Sequence, residues 1–148
     1  PEDSAYVRVV QAGAGVPVRI QVSPLIPALT DHELEAVMEA GRNAGARAAN
    51  TIPLRLPLEV APIFKDWLLK HYPDRYRHVM SLIRSMRDGK DYDAEWGTRM
   101  RGTGPYAWQI GRRFEIAARR LGLDRGGWKV DCTKFKVPPR PGDQLALL

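Results

Sequence analysis

Valine and isoleucine alternate with other residues over VPVRIQV (16–22), the period-two pattern of a half-buried strand. Upstream, residues 4–13 carry the weaker outline of a helix end, broken by Gly13 and Gly15. Downstream, the prolines of SPLIPALT are expected to end the strand and hold an extended loop. Thr30 and Glu33 fit an S/T-x-x-E capping box, with Asp31 adding negative charge to the first turn. Leu34, Val37 and Met38 form an apolar stripe, with Gly41 in its next slot, which predicts a helix over 31–43. ARAANTIPLRL (46–56) reads as a second strand, interrupted by Pro53. Strand, helix and strand within about forty residues make a βαβ unit, whose strands should be parallel.

From Pro57 the period changes to that of helices. Val60, Ile63, Phe64, Trp67 and Leu68 mark one face of a helix ending near residue 70, and Pro62 fits only its first turn. Pro73 opens a second helix whose buried stripe is Tyr76, Val79, Met80, Ile83 and Met86, with Gly89 as its stop. Pro105 opens a third, carrying Ala107, Ile110, Phe114, Ala117 and Leu121 inward; Arg112 over Arg119 and Arg113 over Arg120 line its outer face. From Gly122 the tail is rich in Pro, Gly and Lys and reads as extended. Three regions result: a βαβ part (1–56), a helical extension (57–122) with the loop 89–107, and a tail (123–148). Two strands leave both edges of a parallel sheet open, so the layout predicts the last part of a larger α/β domain. The open edges call for self-association or a partner chain.

Composition narrows the function. The 148 residues are one domain's worth, with 44% hydrophobic and 27% charged residues, ordinary for a globular chain. No apolar run approaches the roughly 20 residues that span a bilayer, and PEDSAYVRVV has no signal-peptide layout, so a cytoplasmic protein with no membrane partner is expected. Cys132 is the single cysteine, which excludes an internal disulfide and a cysteine-based metal cluster built from this chain alone. His32, His71 and His78 make no spaced pair, and no metal site is expected. Residues 1–80 carry 9 Lys/Arg against 9 Asp/Glu, whereas residues 81–140 carry 14 against 7. Such asymmetry points toward a polyanionic partner, although a basic face needs none.

The loop GKDYDAEWGTRMRGTGPYA (89–107) concentrates the candidate chemistry. Arg99 and Arg101 lie two apart and, if extended, project to one side where they could grip a phosphate run. Gly102 and Gly104 would let a ligand approach the backbone ahead of the helix at Pro105. Trp96 and Tyr106 could stack on bases. The alternative is that Trp96, Tyr106 and Trp108 staple the loop to the helices while its arginines pair with Asp91, Asp93 and Glu95.

Three stretches carry a family resemblance: AGVPVRIQVSPLIPALTDHELEAVMEAGRNAGARAANTIPLRLP, YDAEWGTRMRGTGPYA and DCTKFKVPPRPGDQLALL. Together they resemble the C-terminal half of a radical SAM (S-adenosylmethionine) protein of the spore photoproduct lyase-like, or DNA repair photolyase-like, group. The resemblance implies the last βαβ portion of a partial (β/α)6 barrel, with 16–22 and 46–56 as its fifth and sixth strands, and a helical C-terminal extension. It implies S-adenosylmethionine and a [4Fe–4S] cluster in the full-length parent, whose C-x3-C-x2-C motif is absent here. With Cys132 alone the chain cannot ligate that cluster, so it is expected to be an inactive fragment, a truncated gene product or one part of a split protein, whose partner is the missing N-terminal barrel half. The parent would be an enzyme abstracting hydrogen, with a nucleic acid lesion as candidate substrate.

The same resemblance puts Gln21, Ser23 and Pro24, and Arg55 after the second strand, near a cofactor or substrate pocket at the strand ends. The chemistry of the loop makes Trp96, Arg99, Arg101 and Tyr106 the substrate-binding candidates, and the resemblance of DCTKF to a family segment makes Cys132 a candidate hydrogen donor, the alternative being an incidental cysteine. QLALL (144–148) resembles the short peptides that dock bacterial sliding clamps, which makes Gln144, Leu145, Leu147 and Leu148 candidate partner-binding residues. Leu148 stands where such peptides carry an aromatic, and the alternative is a tail folded on its own domain. The competing reading of the whole is a non-enzymatic, basic nucleic-acid-binding domain using residues 96–120.

Overall fold

The computed structural model describes residues 13, 15–124 and 132–138. β1 (Arg19–Leu25) and β2 (Ala48–Pro53) form a two-stranded parallel sheet. Between them run a 3-10 turn (Asp31–Glu33) and α1 (Leu34–Asn43). The parallel βαβ pairing expected from the apolar pattern is present. Then come α2 (Val60–His71), α3 (Tyr76–Ser85), introduced by a 3-10 turn at Pro73–Arg75, and α4 (Gly104–Leu121). Among the described residues no helix is long and apolar enough to cross a membrane.

β1 begins later than the alternation suggests and runs through Pro24 instead of ending before it. The register breaks between Val22 and Leu25, so the ladder asks nothing of the missing Pro24 N–H. Beyond the break Leu25 pairs with Pro53, and the Leu54 N–H donates to the Leu25 carbonyl at 2.9 Å. β2 stops at Pro53, short of the expected residue 56.

One face of the sheet is covered. Ile20 and Val22 join Leu34 and Met38 of α1 and Ile110, Ala117 and Ala118 of α4 in the first core. The other face leaves Gln21 and Ser23 of β1 exposed, with Gln21 beside Asn50 in register. Gly41 turns out to be a packing residue. A Cβ there would lie 2.6 and 2.7 Å from the Cδ1 and Cγ2 of buried Ile20, so glycine lets α1 settle on β1.

A second core begins where β2 ends. Leu54 and Leu56 pack with Leu68 of α2 and Val79, Met80 and Ile83 of α3, while Phe64 and Tyr76 flank them. The stripe expected on α2 is only partly used. Leu68 is buried, but Ile63 is 66% exposed and Val60 and Trp67 also face solvent, because α2 leans on α3 through its Ala61–Phe64–Leu68 side. Val37 likewise falls outside the first core.

Two local expectations are corrected. The Thr30 hydroxyl does not cap α1; it accepts the Ile26 N–H at 2.9 Å, so the tight turn before the helix takes the group that a capping box needs. Arg113 does not join an outer arginine face. It reaches across to α1, donating from Nε and Nη2 to the two Glu35 carboxylate oxygens at 2.8 and 2.6 Å, and from Nη2 to the Asp31 carbonyl at 2.8 Å. This fork ties α4 to the βαβ unit.

Replacing Gly41 by Ala is expected to destabilise the protein despite alanine's better helix propensity, because overpacking costs about 1–3 kcal/mol against a gain of about 1 kcal/mol. A lower urea midpoint at unchanged m-value is the readout. The Arg113 hydrogen bonds hold the Glu35 carboxyl below its ordinary 4.5, against the opposing effect of burial. The stabilisation from this pair is therefore complete above the ordinary value and is lost as pH falls through the lowered, folded-state value. Glu35→Gln should be less stable than wild type at neutral pH and converge with it in acid, as followed by urea unfolding across a pH series.

Candidate functional site

The segment from Arg87 to Thr103 is folded back against the end of β2 by one buried side chain. Arg87 follows Ile83 and Met80 at helical spacing, so its side chain leaves α3 on the apolar side and ends 1% exposed. Its Nη1 donates to the Thr98 and Arg99 carbonyls at 3.3 and 3.0 Å, and its Nη2 to the Leu54 carbonyl at 3.3 Å. A planar, five-donor guanidinium suits three carbonyls in this way. Burial pulls the group below its ordinary 12.5, and Asp93 opposes the shift. Loop, second core and strand end meet at this cation.

Local chemistry shapes the rest of the loop. The Asp93 carboxylate accepts the Glu95 N–H at 3.0 Å and the Thr98 hydroxyl at 3.2 Å, bonds that hold its carboxyl below the usual range. A helical turn follows, with the Gly102 N–H on the Thr98 carbonyl at 2.7 Å and the Thr103 N–H on the Met86 carbonyl at 3.0 Å. Gly102 and Gly104 serve packing here. Both have positive φ, +75 and +80, and a Cβ would lie 3.1 Å from the Met86 Cβ and 3.0 Å from the Ser85 carbonyl respectively. Their close approach is to the end of α3. Asp91 is engaged outside the loop, by Lys65 and by Arg84 at 2.7 Å.

Three candidates converge on this platform. Arg55, just past β2, donates to the Tyr92 hydroxyl at 2.9 Å and lies near Met100 Sδ at 3.5 Å. Arg99 stacks its guanidinium 3.7 Å from the centre of the Trp96 ring, a cation–π pair. Trp96 itself is 78% exposed. Among the described residues no carboxylate pairs with Arg99 or Arg101, contrary to the pairing with Asp91, Asp93 and Glu95 that the sequence left open. Nor do the two arginines share a side, because the turn between them is helical where an extended strand was assumed. Arg101 instead borders a groove of about 590 Å³ between β2 and the N-terminal half of α4, together with Asn50, Thr51, Trp108 and Arg112.

The remaining candidates stand apart. Tyr106 packs against the first core and donates its hydroxyl to Asp31; burial and that carboxylate push its pKa up to about 12. It is a post between α4 and the turn before α1. Gln21, Ser23 and Pro24 lie exposed along β1. Cys132 is an exposed thiol in a short 3-10 turn, Cys132–Lys134. Gln144, Leu145, Leu147 and Leu148 fall outside the described residues. Arg87, Asn50 and Trp108 were missed as site residues. Arg87 had a signal, a charge in the apolar phase of α3, while Asn50 and Trp108 depend on how the groove closes in space.

Comparison with family models, with curated proteins and with solved structures finds no match.

Replacing Arg87 by Lys keeps the charge but cannot hold three carbonyls in one plane. A stability loss of about 2–4 kcal/mol is expected from the charged hydrogen bonds given up. Hydrogen exchange should rise first at the amides of Arg99, Gly102 and Thr103, ahead of the strand amides. Uniform loss of protection across the chain would show that Arg87 supports the whole fold and not the loop.

Proposed function

We propose that the chain is the C-terminal part of a radical SAM enzyme of the spore photoproduct lyase-like group, in which the loop 90–103 forms the substrate-side wall over the ends of the strands. The observation that carries this reading is the Arg87 clamp, which fixes the most family-like stretch, WGTRMRG, against the carbonyl of Leu54 just beyond β2. In parallel α/β sheets ligands sit at the carboxyl ends of the strands. The parallel βαβ unit and the exposed polar residues of β1 agree with two strands taken from a partial barrel.

The residues present do not fit the iron–sulfur cluster. Such a cluster takes several thiolates and this sequence contains one cysteine. Its ligands would come from the N-terminal barrel half, in the same or a separate chain. Within this chain, Arg99 on Trp96 offers a flat cationic surface, Arg101 an anion contact, and Gln21 and Ser23 polar groups on the open sheet face. Cys132 would serve as hydrogen donor only if brought to the substrate. A full-length Cys132→Ala protein with normal turnover would remove that role.

A second reading is a nucleic-acid-binding domain without chemistry of its own. It draws on the exposed Trp96 with Arg99 stacked upon it, and on Arg101, Arg112 and Arg119, all exposed. Arg113 is withdrawn from that surface by Glu35. Oligonucleotide affinity that falls steeply with salt, with no cosubstrate consumed, would favour it.

The test of the first reading is anaerobic reconstitution of this chain with its cluster-bearing segment. A cluster spectrum and cleavage of S-adenosylmethionine are expected. Arg99→Ala should preserve cosubstrate cleavage while substrate turnover falls by about tenfold or more. A reconstituted protein that binds no iron and leaves S-adenosylmethionine intact would overturn the reading.

A further inference from the structure

The four methionines of the chain divide by exposure. Met38 is 0% exposed and Met80 and Met86 are 1% exposed, all three packed in the two cores, whereas Met100 is 38% exposed. A core thioether is shielded from oxidants, so one sulfur of the four is open to them. That sulfur also has a cationic neighbour. Arg55 Nη1 donates to Met100 Sδ at 3.5 Å while its Nη2 donates to the Tyr92 hydroxyl at 2.9 Å, and its guanidinium carbon lies 5.6 Å from the centre of the Tyr92 ring. No described carboxylate pairs with Arg55. Thioether sulfur is a weak acceptor, a poor match for a charged donor. The backbone around Met100 is held on both sides. The Arg99 carbonyl accepts Arg87 Nη1 at 3.0 Å, and the Arg101 and Gly102 N–H groups donate to the Thr98 carbonyl at 3.0 and 2.7 Å. A chemical change at the sulfur therefore falls on the Met100 and Arg55 side chains and not on the path of the loop.

We propose that Met100 is a reversible oxidation site whose sulfoxide locks Arg55 to the loop. The oxidant is a peroxide. A sulfur lone pair attacks one peroxide oxygen, the S–O bond forms as the O–O bond breaks, and the other oxygen leaves as water, or as an alcohol from an organic peroxide. Sulfur loses two electrons and the peroxide gains them. Arg55 engages one lone pair and leaves the second for this attack. Rotation about the Cγ–Sδ bond then turns the new oxygen toward Nη1, and a weak sulfur acceptor is replaced by a strongly polar oxygen facing a charged donor. Oxidation of a packed methionine disrupts its surroundings; here it tightens a contact. A thiol-dependent methionine sulfoxide reductase reverses the change, with two thiols becoming a disulfide and the oxygen leaving as water. The oxidation state of Met100 thus sets how firmly Arg55, just past β2, is joined to the loop 90–103. The proposal does not rest on the radical SAM reading.

Dilute hydrogen peroxide on the full chain, followed by peptide mass mapping and amide hydrogen exchange, tests it. Met100 should gain one oxygen at least about tenfold faster than Met38, Met80 or Met86. Exchange at the Arg99, Arg101 and Gly102 amides should then slow by about threefold, and treatment with the reductase should restore the original rates. Arg55→Leu should still take up oxygen at Met100 but show no slowing. If that protein does not fold, Met100→Gln decides the question. Its amide oxygen sits on the atom that replaces Sδ, which copies the sulfoxide, so the same three amides should slow without any oxidant. A buried methionine that oxidises as fast as Met100 overturns the assignment of the site. Exchange that is unchanged or faster after oxidation overturns the lock, as does equal slowing in Arg55→Leu or a Met100→Gln protein indistinguishable from wild type.

Discussion

One buried guanidinium organises the half of the molecule that carries the loop 90–103. Arg87 is withdrawn from water and returns its cost through three backbone carbonyls drawn from separate parts of the chain. Those carbonyls belong to the segment after β2 and to the turn that carries Trp96 and Arg99. The second core contains no side chain from residues 90–103, so the loop is held by polar contacts: those of Arg87, Asp91 with Lys65 and Arg84, and Arg55 with Tyr92. Gly102 and Gly104 complete the arrangement by letting the returning backbone lie against the end of α3. A loop fixed in this way can present its arginines without reorganisation, which is what recognition of an anion requires.

A second constraint acts through α4. Arg113 and Tyr106, both on α4, hold the turn before α1 through Glu35, the Asp31 carbonyl and the Asp31 carboxylate. Together with the apolar contacts of Ile110 and Ala117, these bonds dock α4 on one face of β1 and β2. The N-terminal half of the same helix then forms a wall of the groove beside β2. A single helix placement thus supplies both the packing face and a wall of the groove. The clamped loop and the exposed residues of β1 are the features from which the functional proposals are built.

Much of the scaffold was legible because period carries it. The βαβ order, the inward faces of α3 and α4, and the helix start at Gly104–Pro105 follow from apolar spacing and proline position. Misreadings arose where partners distant in sequence decide the outcome. Nothing local distinguishes Arg113 from Arg112, yet Glu35 lies within reach of only the former. Thr30 obeys the capping pattern, but its hydroxyl is taken by the Ile26 N–H. Ile63 and Trp67 keep helical spacing with Leu68, but the stripe is wider than the surface offered by Leu54, Val79 and Met80. Aromatic and basic composition drew attention to 89–107, and of the two roles it left open for Tyr106 the structure shows the structural one, with ring and hydroxyl engaged in the fold. Arg87 shows the reverse: its charge in an apolar phase is an anomaly visible in the residue pattern itself, and the three carbonyls account for it.

The central proposal is that the loop 90–103, fixed by Arg87, forms a wall of the cavity where cosubstrate and substrate would meet. It is tested most directly by an anaerobic crystal structure of the protein reconstituted with its cluster-bearing segment and S-adenosylmethionine. The account predicts that the stacked Trp96–Arg99 pair and Arg101 border the same cavity as the cosubstrate, with Arg87 still on the Leu54, Thr98 and Arg99 carbonyls. A loop lying on the opposite side of the sheet from the cosubstrate, or an Arg87 turned out into solvent, would contradict it.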